Sequence, residues 1–546
     1  MRPAARRHGL YARKPDRADE PRREGRIDRR RCDRGHARGG RQAHVRPGAS
    51  GRFPRGIPVT AADVAVVGGG FTGAVFAIHL SRLAGRPLDI TIVEPRERPG
   101  RGVAYDTADP DHRLNAPLQI HFVYPDAPGH LPGWYAERGG AARDPEAVDP
   151  QAVDPEALGP DGTLYPRRGE FGRYVEEQLR SHMAGNASGS TIRHIRARAV
   201  AARRNAAGYR LDLSDGQTLS ARLVVVAAGY ERPRAPPPFA GAVSGHPGFV
   251  ADPWDTDRLR NIPADARVLV LGMSQTASDA IAVLLRNGHT GPITAVARRG
   301  LRPRRKPETA AGLPPDIVDR IRRPVSLFTE AHGRHGTALS LLRTLRAGVR
   351  RAEAAGGDWF GPFGDLRDSV WDVWPALPLA EQRRFLRHLR VWYDAHRFQL
   401  PPQVEVRIAG AEAAGQLSFE AAFCEAAARD GDALSVTLRR RGSGERRRER
   451  VGAVVNCTGP DLRPDRSDNP FIASLVVRGY AVPHPTGIGF DVDDECRAVG
   501  AGGQPDPHLR IVGPLTYGAF ADQQGAPFIA LRLCAILPGI AAELQR

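Results

Sequence analysis

Residues 63–95 read DVAVVGGGFTGAVFAIHLSRLAGRPLDITIVEP: an apolar strand, a glycine-rich turn, a helix and a second apolar strand. The spacing Gly68-x-Gly70-x-x-Gly73 is what a dinucleotide requires of such a turn. Gly68 permits the tight turn, Gly70 lets a pyrophosphate approach the backbone, and Gly73 lets the helix pack closely on the strand. Phe71 and Thr72 open the helix, whose N-terminal N–H groups carry partial positive charge toward phosphates. Glu94 ends the second strand 21 residues beyond Gly73, where an acid binds ribose hydroxyls. A bare glycine-rich turn would not need the strand before it and the acid after it.

A related pattern follows RVLVL at 267–271, reading Gly272-Met-Ser274-Gln-Thr-Ala277. Two of the three glycine positions are replaced, and Ser274 restricts how closely a pyrophosphate can approach. Arg298 and Arg299 end the next apolar stretch, where an acid would select NAD and arginines would accept a 2′-phosphate. This predicts an NADPH site; the alternative is a structural Rossmann unit that has lost its nucleotide. Three strand-end turns, Ala228-Gly229, Thr458-Gly459-Pro460 and Gly513-Pro514, surround the two motifs and would carry the chain between domains. At Gly229 and Gly459 they would also bring backbone near a cofactor.

The predicted fold class is α/β, with two nested Rossmann-type dinucleotide-binding domains and a helical insertion. Residues 61–235 form the first part of the first dinucleotide-binding domain in this reading. Residues 260–400 form an NADP-type domain carrying the insertion, and 401–546 return to the first domain. Residues 337–398 read as mainly helical with a glycine-rich break near 356–364, and the Pro/Asp-rich stretch 141–162 reads as a flexible surface insertion.

Composition narrows the function classes. The chain has 546 residues and a formal net charge of +18, but residues 1–60 hold 18 Lys/Arg against 6 Asp/Glu. That head therefore carries +12 and the remainder only +6. The head has Tyr11 and Phe53 as its only aromatic residues, too few for stacking on bases, and no apolar core of a secretory signal. It reads as a disordered basic tail or translated upstream sequence, with the protein proper expected to begin near Val59. The five cysteines are scattered, which points away from disulfides, zinc and dithiol chemistry and toward a cytoplasmic setting. The longest clean apolar run, Leu223 to Ala228, is strand-sized, so no membrane span is expected. The expected partner is a small-molecule substrate, with no nucleic acid, membrane or metal; the oligomeric state stays open.

The segments GRGVAYDTADPDHRLNAP (100–117), LYPRRGEFGRYV (164–175), ITAVARRGLRPR (293–304), RRFLRHLRVWYDAHR (383–397) and VVNCTGP (454–460) resemble the bacterial FAD–NAD(P)-binding protein family. That family is similar to N-hydroxylating flavin monooxygenases. The resemblance implies FAD and NADPH as cofactors. It places Gly68, Gly70, Gly73 and Glu94 on the ADP half of FAD, with Arg101, Gly102 and Asn115 along the cofactor toward the flavin ring. Val200 would lend backbone atoms to adenine. Near the C-terminus the family pattern Thr-x-Gly-x-x-Trp-Glu is replaced by Thr516-Tyr-Gly518-Ala-Phe-Ala521-Asp522, which leaves the substrate open.

The implied activity is hydride transfer from NADPH to FAD followed by transfer of one oxygen atom to a small molecule, with an amine nitrogen as the preferred target. A reductase or dehydrogenase without oxygen transfer is an alternative. So is a non-catalytic binding protein on a flavoprotein fold, which Ser274 and Ala277 favour. No catalytic residue stands out: His112 and His130 flank Asn115 as candidate acid or base groups, and Cys457 reads as a core thiol. Phe385, Leu389, Trp392 and His396 recur at helical spacing, as a cap over the flavin or, more simply, as core packing.

Overall fold

The apolar runs at 64–67 and 223–226 pair as neighbouring parallel strands, with Val64 opposite Leu223 and Val67 opposite Val226. In the computed structural model, which describes residues 59–140, 154–159, 162–229, 233–307 and 316–546, these strands sit inside the first of two sheets. The basic head, 1–58, lies outside the described residues.

The first sheet begins with β1 (Val59–Val67), β2 (Asp89–Val93) and β3 (Thr191–Ile195), all parallel. β4 (Ala199–Asn205) and β5 (Gly208–Leu213) form an antiparallel meander into β6 (Thr218–Val226), which returns beside β1. The chain then leaves for a second sheet made of β7 (Phe249–Val250), β8 (Val268–Leu271), β9 (Ile293–Ala297), β10 (Leu417–Asp430), β11 (Ala433–Arg440), β12 (Arg446–Val451) and β13 (Ala453–Asn456). Its order is β12-β11-β10-β9-β8-β13-β7. Finally β14 (Arg497–Val499) and β15 (Pro505–Ile511) add to the free side of β6, giving the order β14-β15-β6-β1-β2-β3. One unit is thus nested within the other.

The nesting matches the sequence reading, but one boundary does not. Residues 401–546 were expected to return to the first domain, yet β10 to β13 complete the second sheet. The first half of β10 pairs in parallel with β9, Leu417 opposite Ile293. After a register shift between Cys424 and Ala426 its second half pairs antiparallel with β11. The return to the first sheet therefore begins after Asn456.

Helix Phe71–Leu83 packs against the C-terminal helix Ala526–Gln545, and both bury apolar side chains on the first sheet. The terminal helix is long and apolar enough to cross a membrane by length and composition, which the sequence reading passed over. Here Phe528, Leu531, Leu537 and Ile540 belong to the buried core. The helical insertion between β9 and β10 divides its loyalties. Leu341, Leu345, Val373 and Trp374 join the core of the first sheet, whereas Val404 and Ile408 of helix Pro402–Ala413 pack on the second. The expected glycine break is shorter than 356–364, because Gly361 and Gly364 lie within helix Phe360–Asp368, whose first N–H is bonded by the Asp358 carboxylate at 2.7 Å.

The stretch 141–162 was expected to be a loose surface insertion. Residues 141–153, 160 and 161 fall outside the described residues, but Asp154 is anchored. Its carboxylate takes two hydrogen bonds from Arg113, at 2.8 and 2.9 Å, and Arg113 is fully buried. An unpaired guanidinium could not stay there, so the acid is held in place by the cost of leaving that charge alone.

Candidate functional site

Gly68 has φ +106°, a conformation that side chains other than glycine strain to adopt. Its N–H donates to the Val93 carbonyl at 3.0 Å, and a methyl group there would lie 2.6 Å from the Ala227 carbonyl oxygen. A methyl group on Gly73 would lie only 2.0 Å from the Gly68 oxygen, so this glycine sets the close approach of helix to turn. Gly70 differs from both. The nearest atom to a methyl group there is the Cα of Gly102, at 3.3 Å, and no side chain caps the helix that starts after it. Two glycines from separate loops thus lie face to face on the floor of a cavity, beside uncapped helix N–H donors.

That cavity has a volume of about 1750 Å³, beyond the roughly 300–1,000 Å³ of an ordinary small-ligand pocket. Gly68, Gly70, Phe71, Thr72, Glu94, Arg101, Gly102, Asn115, Gly229 and Gly459 all line it. Glu94 is held there by accepting from the Gly69 N–H at 2.9 Å and the Arg96 N–H at 3.1 Å. Arg101 donates through Nε to Glu176 at 2.5 Å. These residues fit the ADP half of FAD: a glycine floor, a helix terminus and an acid at the strand end. Val200 does not line the cavity; its neighbours Arg198 and Ala199 do.

The second turn repeats the first in backbone. Gly272 has φ +118° and donates to the Val296 carbonyl at 2.8 Å. Yet Gly272 and Ser274 do not line the cavity, and Ser274 is exposed. The cavity instead reaches the second unit through Gln275, Thr276 and Asp279 of helix Gln275–Arg286, and through Arg305 and Lys306.

The expected phosphate pair, Arg298 and Arg299, is absent from the cavity wall. Arg298 is exposed, and the Arg299 guanidinium donates to the carbonyls of Arg387 and His388 at 3.1 and 3.0 Å. Those carbonyls end helix Leu379–His388, where a cation offsets the helix dipole. The chain bends at Gly300 (φ +65°), and the cations that line the cavity come later, at 305 and 306.

Sequence reasoning missed a buried ion pair and a histidine on the wall. Arg168 donates to both oxygens of Asp279, at 2.8 and 3.1 Å, and both residues are buried. This pair ties the first unit to the second at the cavity, and only knowledge of the packing could have joined residues so far apart in sequence. His121 is also buried on the wall, and burial pushes its imidazole down to about 4. Its Nδ1 lies 3.0 Å from the Pro117 carbonyl, which only accepts, so Nδ1 carries the proton and Nε2 is a bare acceptor.

The histidines singled out from sequence are elsewhere. His112 pairs with the Thr107 hydroxyl at 2.8 Å and His130 with the Tyr174 hydroxyl at 2.9 Å, and neither lines the cavity. Nor do Phe385, Leu389, Trp392 and His396, although Arg397 and Phe398 immediately after them do. Cys457 is a buried thiol whose ionisation burial opposes, as expected of a core residue.

A family model described as FAD-NAD(P)-binding matches residues 65–231, the span that contains the first turn, Glu94, Gly102 and β6. No curated protein matches the chain in sequence. Among solved structures, the chain is similar in fold to the reduced form of ornithine hydroxylase (PvdA) from Pseudomonas aeruginosa, with a TM-score of 0.58 at 17% identity, covering 89% of this chain and 100% of that one. The ornithine N-hydroxylase KtzI from Kutzneria sp. 744, described with reduced FAD, NADP+ and L-ornithine, gives 0.57 at 18% identity with 89% and 100% coverage. L-lysine 6-monooxygenase from Pseudomonas syringae gives 0.56 at 18% identity with 89% and 99% coverage.

Proposed function

We propose that the protein is an FAD- and NADPH-dependent monooxygenase that oxidises a small molecule, with an amine nitrogen as the preferred target. The observation that carries this reading is the single cavity that runs from the glycine floor at Gly70 and Gly102 to Thr276, Arg305 and Lys306 of the second unit. One dinucleotide would leave much of that volume empty; two, meeting end to end, would use it. The fold likeness to enzymes that hydroxylate ornithine and lysine supports the choice of reaction.

The chain's own residues would bind, orient and exclude water. Gly70 and Gly102 would let the pyrophosphate approach the backbone, the helix after Gly70 would offer its N–H groups, and Glu94 would accept from ribose hydroxyls. Arg305 and Lys306, which line the cavity where Arg298 and Arg299 do not, would hold the 2′-phosphate. His121, neutral throughout the physiological range, would accept a hydrogen bond at Nε2 rather than donate a proton. Bound FAD would supply hydride acceptance from NADPH and the activation of oxygen.

The test is to mix the purified protein with NADPH without oxygen, then admit oxygen with and without candidate amines. The expected result is flavin bleaching by NADPH, then a peroxide yield per NADPH that falls when the right amine is present. Bleaching with a yield indifferent to every amine would favour a reductase. No bleaching would favour the non-catalytic reading, which the exposed Ser274 and the buried Ala277 at the second turn support.

A further inference from the structure

The helical insertion contributes a second kind of wall to the cavity. Helices Ile317–Arg322, Phe360–Asp368 and Arg390–Arg397 are neighbours, and Ile317, Ile321, Phe360, Arg367 and Arg397 of these helices face the cavity. Arg397 donates through Nε to Asp522 at 2.6 Å, and its guanidinium lies 5.1 Å from the Phe398 ring centre and 5.5 Å from that of Phe528. Arg367 likewise donates through Nε to Asp368 at 2.6 Å. All four charged side chains are largely withdrawn from solvent, with 3–16% exposure.

Each guanidinium therefore uses its Nε edge on an acid. Neither makes a further hydrogen bond to another group among the described residues, and both line the cavity. A guanidinium has five N–H donors in a flat fork, and carboxylates and phosphates are the anions that match two of them at once. The flanking acids choose among anions. Asp368 and Asp522 offset the charge of the two arginines, so the forks offer directed N–H donors with no excess of positive charge, which suits a monoanion better than a dianion such as a phosphate ester. Beside the forks the wall carries the apolar side chains Ile317, Ile321, Phe360 and Phe528, with the Lys306 ammonium 5.7 Å from the Phe360 ring centre.

We propose that Arg367 and Arg397 form a carboxylate-binding subsite that takes an organic monocarboxylic acid with an apolar, aryl or alkyl, body. The carboxylate sits on the Nη edges and the body lies against the apolar side chains of the insertion and the terminal helix. As a substrate assignment this rests on the oxidation proposed above; as a binding site it does not. Asp522 holds Arg397 in place and is a positioning residue. It stands in the Thr516–Asp522 segment, where the sequence departs from the family pattern, so the departure and the subsite fall together.

The probe is 4-phenylbutyrate, titrated calorimetrically into the full-length protein as purified, with 4-phenylbutanamide and inorganic phosphate as controls. Flavin content and thermal midpoint are measured on the same samples. The acid is expected to bind at least about ten-fold more tightly than the amide, and phosphate is expected not to displace it. The double variant Arg367→Gln/Asp368→Asn, which leaves no unpaired buried acid, should weaken the acid by about ten- to hundred-fold and leave the amide unchanged. Because Arg397→Gln alone would strand Asp522, the second variant is the double Arg397→Gln/Asp522→Asn, with the same expected loss. Arg367→Lys, which keeps the charge without the fork, should recover only part of the affinity. Equal affinity for acid and amide, no heat from the acid, displacement by phosphate, or unchanged affinity in both variants would overturn the subsite. A preparation without flavin would count against the proposed oxidation, while the titration would still report on the arginines.

Discussion

The two glycine turns share a backbone and differ in what can approach it. Gly68 and Gly272 have φ of +106° and +118°, and a methyl group on either would strike a carbonyl oxygen, that of Ala227 at 2.6 Å or Cys457 at 2.3 Å. The residues before the two helices, Gly70 and Ser274, have nearly the same ψ, −164° and −165°. The later positions diverge. Gly73 has no room for a methyl group, whereas Ala277 carries one and remains buried. Gly70 lies on the cavity floor opposite Gly102, whereas Ser274 is off the cavity wall. The turn's backbone is thus set by packing against a strand of its own sheet, and the second motif position is where the two turns differ in reaching the cavity.

The third motif position offers the largest effect. Gly73→Ala should cost about 3 kcal/mol or more in chemical denaturation and remove the flavin, because the added methyl group must push the helix off Gly68. If Gly73→Ala keeps stability and flavin, the close approach has no importance.

Next in size is a pH effect confined to the first unit's wall. Burial holds His121 near 4, below the ordinary 6.5, so the neutral ring favours the fold. That contribution is complete above about pH 6.5 and lost as pH falls toward 4. Between those values the parent should lose about 3 kcal/mol more stability than His121→Gln, measured by urea unfolding at each pH. Parallel curves would mean that the imidazole protonates freely and is not held as an acceptor.

Smaller still are the nucleotide effects on the second unit. Replacing Arg305 and Lys306 by alanine should weaken NADPH binding about ten- to hundred-fold with little change for NADH, read from flavin reduction rates. Replacing Arg298 and Arg299 should change neither by more than about two-fold, since Arg299 serves a helix terminus. The opposite ranking would restore the sequence-based assignment. Last is the reciprocal change Ala277→Gly, expected to cost about 1–2 kcal/mol through lower helix propensity and the lost burial of its methyl group, with flavin content unaltered.

Local patterns made the first unit legible in sequence. A strand, three glycines and an acid lie within 32 residues, and Gly68, Gly70, Glu94, Gly102 and Asn115 all reach the cavity. The nested α/β arrangement was legible for the same reason, since each motif announces its own sheet. What failed was long-range. The strand at 417–430 carries no sign of which sheet it joins, because both sheets offer a parallel edge beside apolar residues. Arg299 and Arg305 differ by six positions and look alike in sequence, yet a bend at Gly300 and a nearby helix terminus decide which one meets the cavity. The Arg168–Asp279 pair and the Arg367 and Arg397 forks depend on packing between elements that are distant along the chain.

That the first turn holds FAD, and the second does not, is tested most directly by flavin content in a matched pair of variants. A Cβ at residue 70 would meet only Gly102, its Cα at 3.3 Å and its N at 3.8 Å, so the fold should accept Gly70→Val while the cavity floor is filled. Ser274→Val places the same side chain at the equivalent backbone position, away from the cavity wall. Purified Gly70→Val should be soluble and colourless, while Ser274→Val and the parent should carry stoichiometric FAD. Retention of FAD by Gly70→Val, or its loss from Ser274→Val, would contradict that assignment.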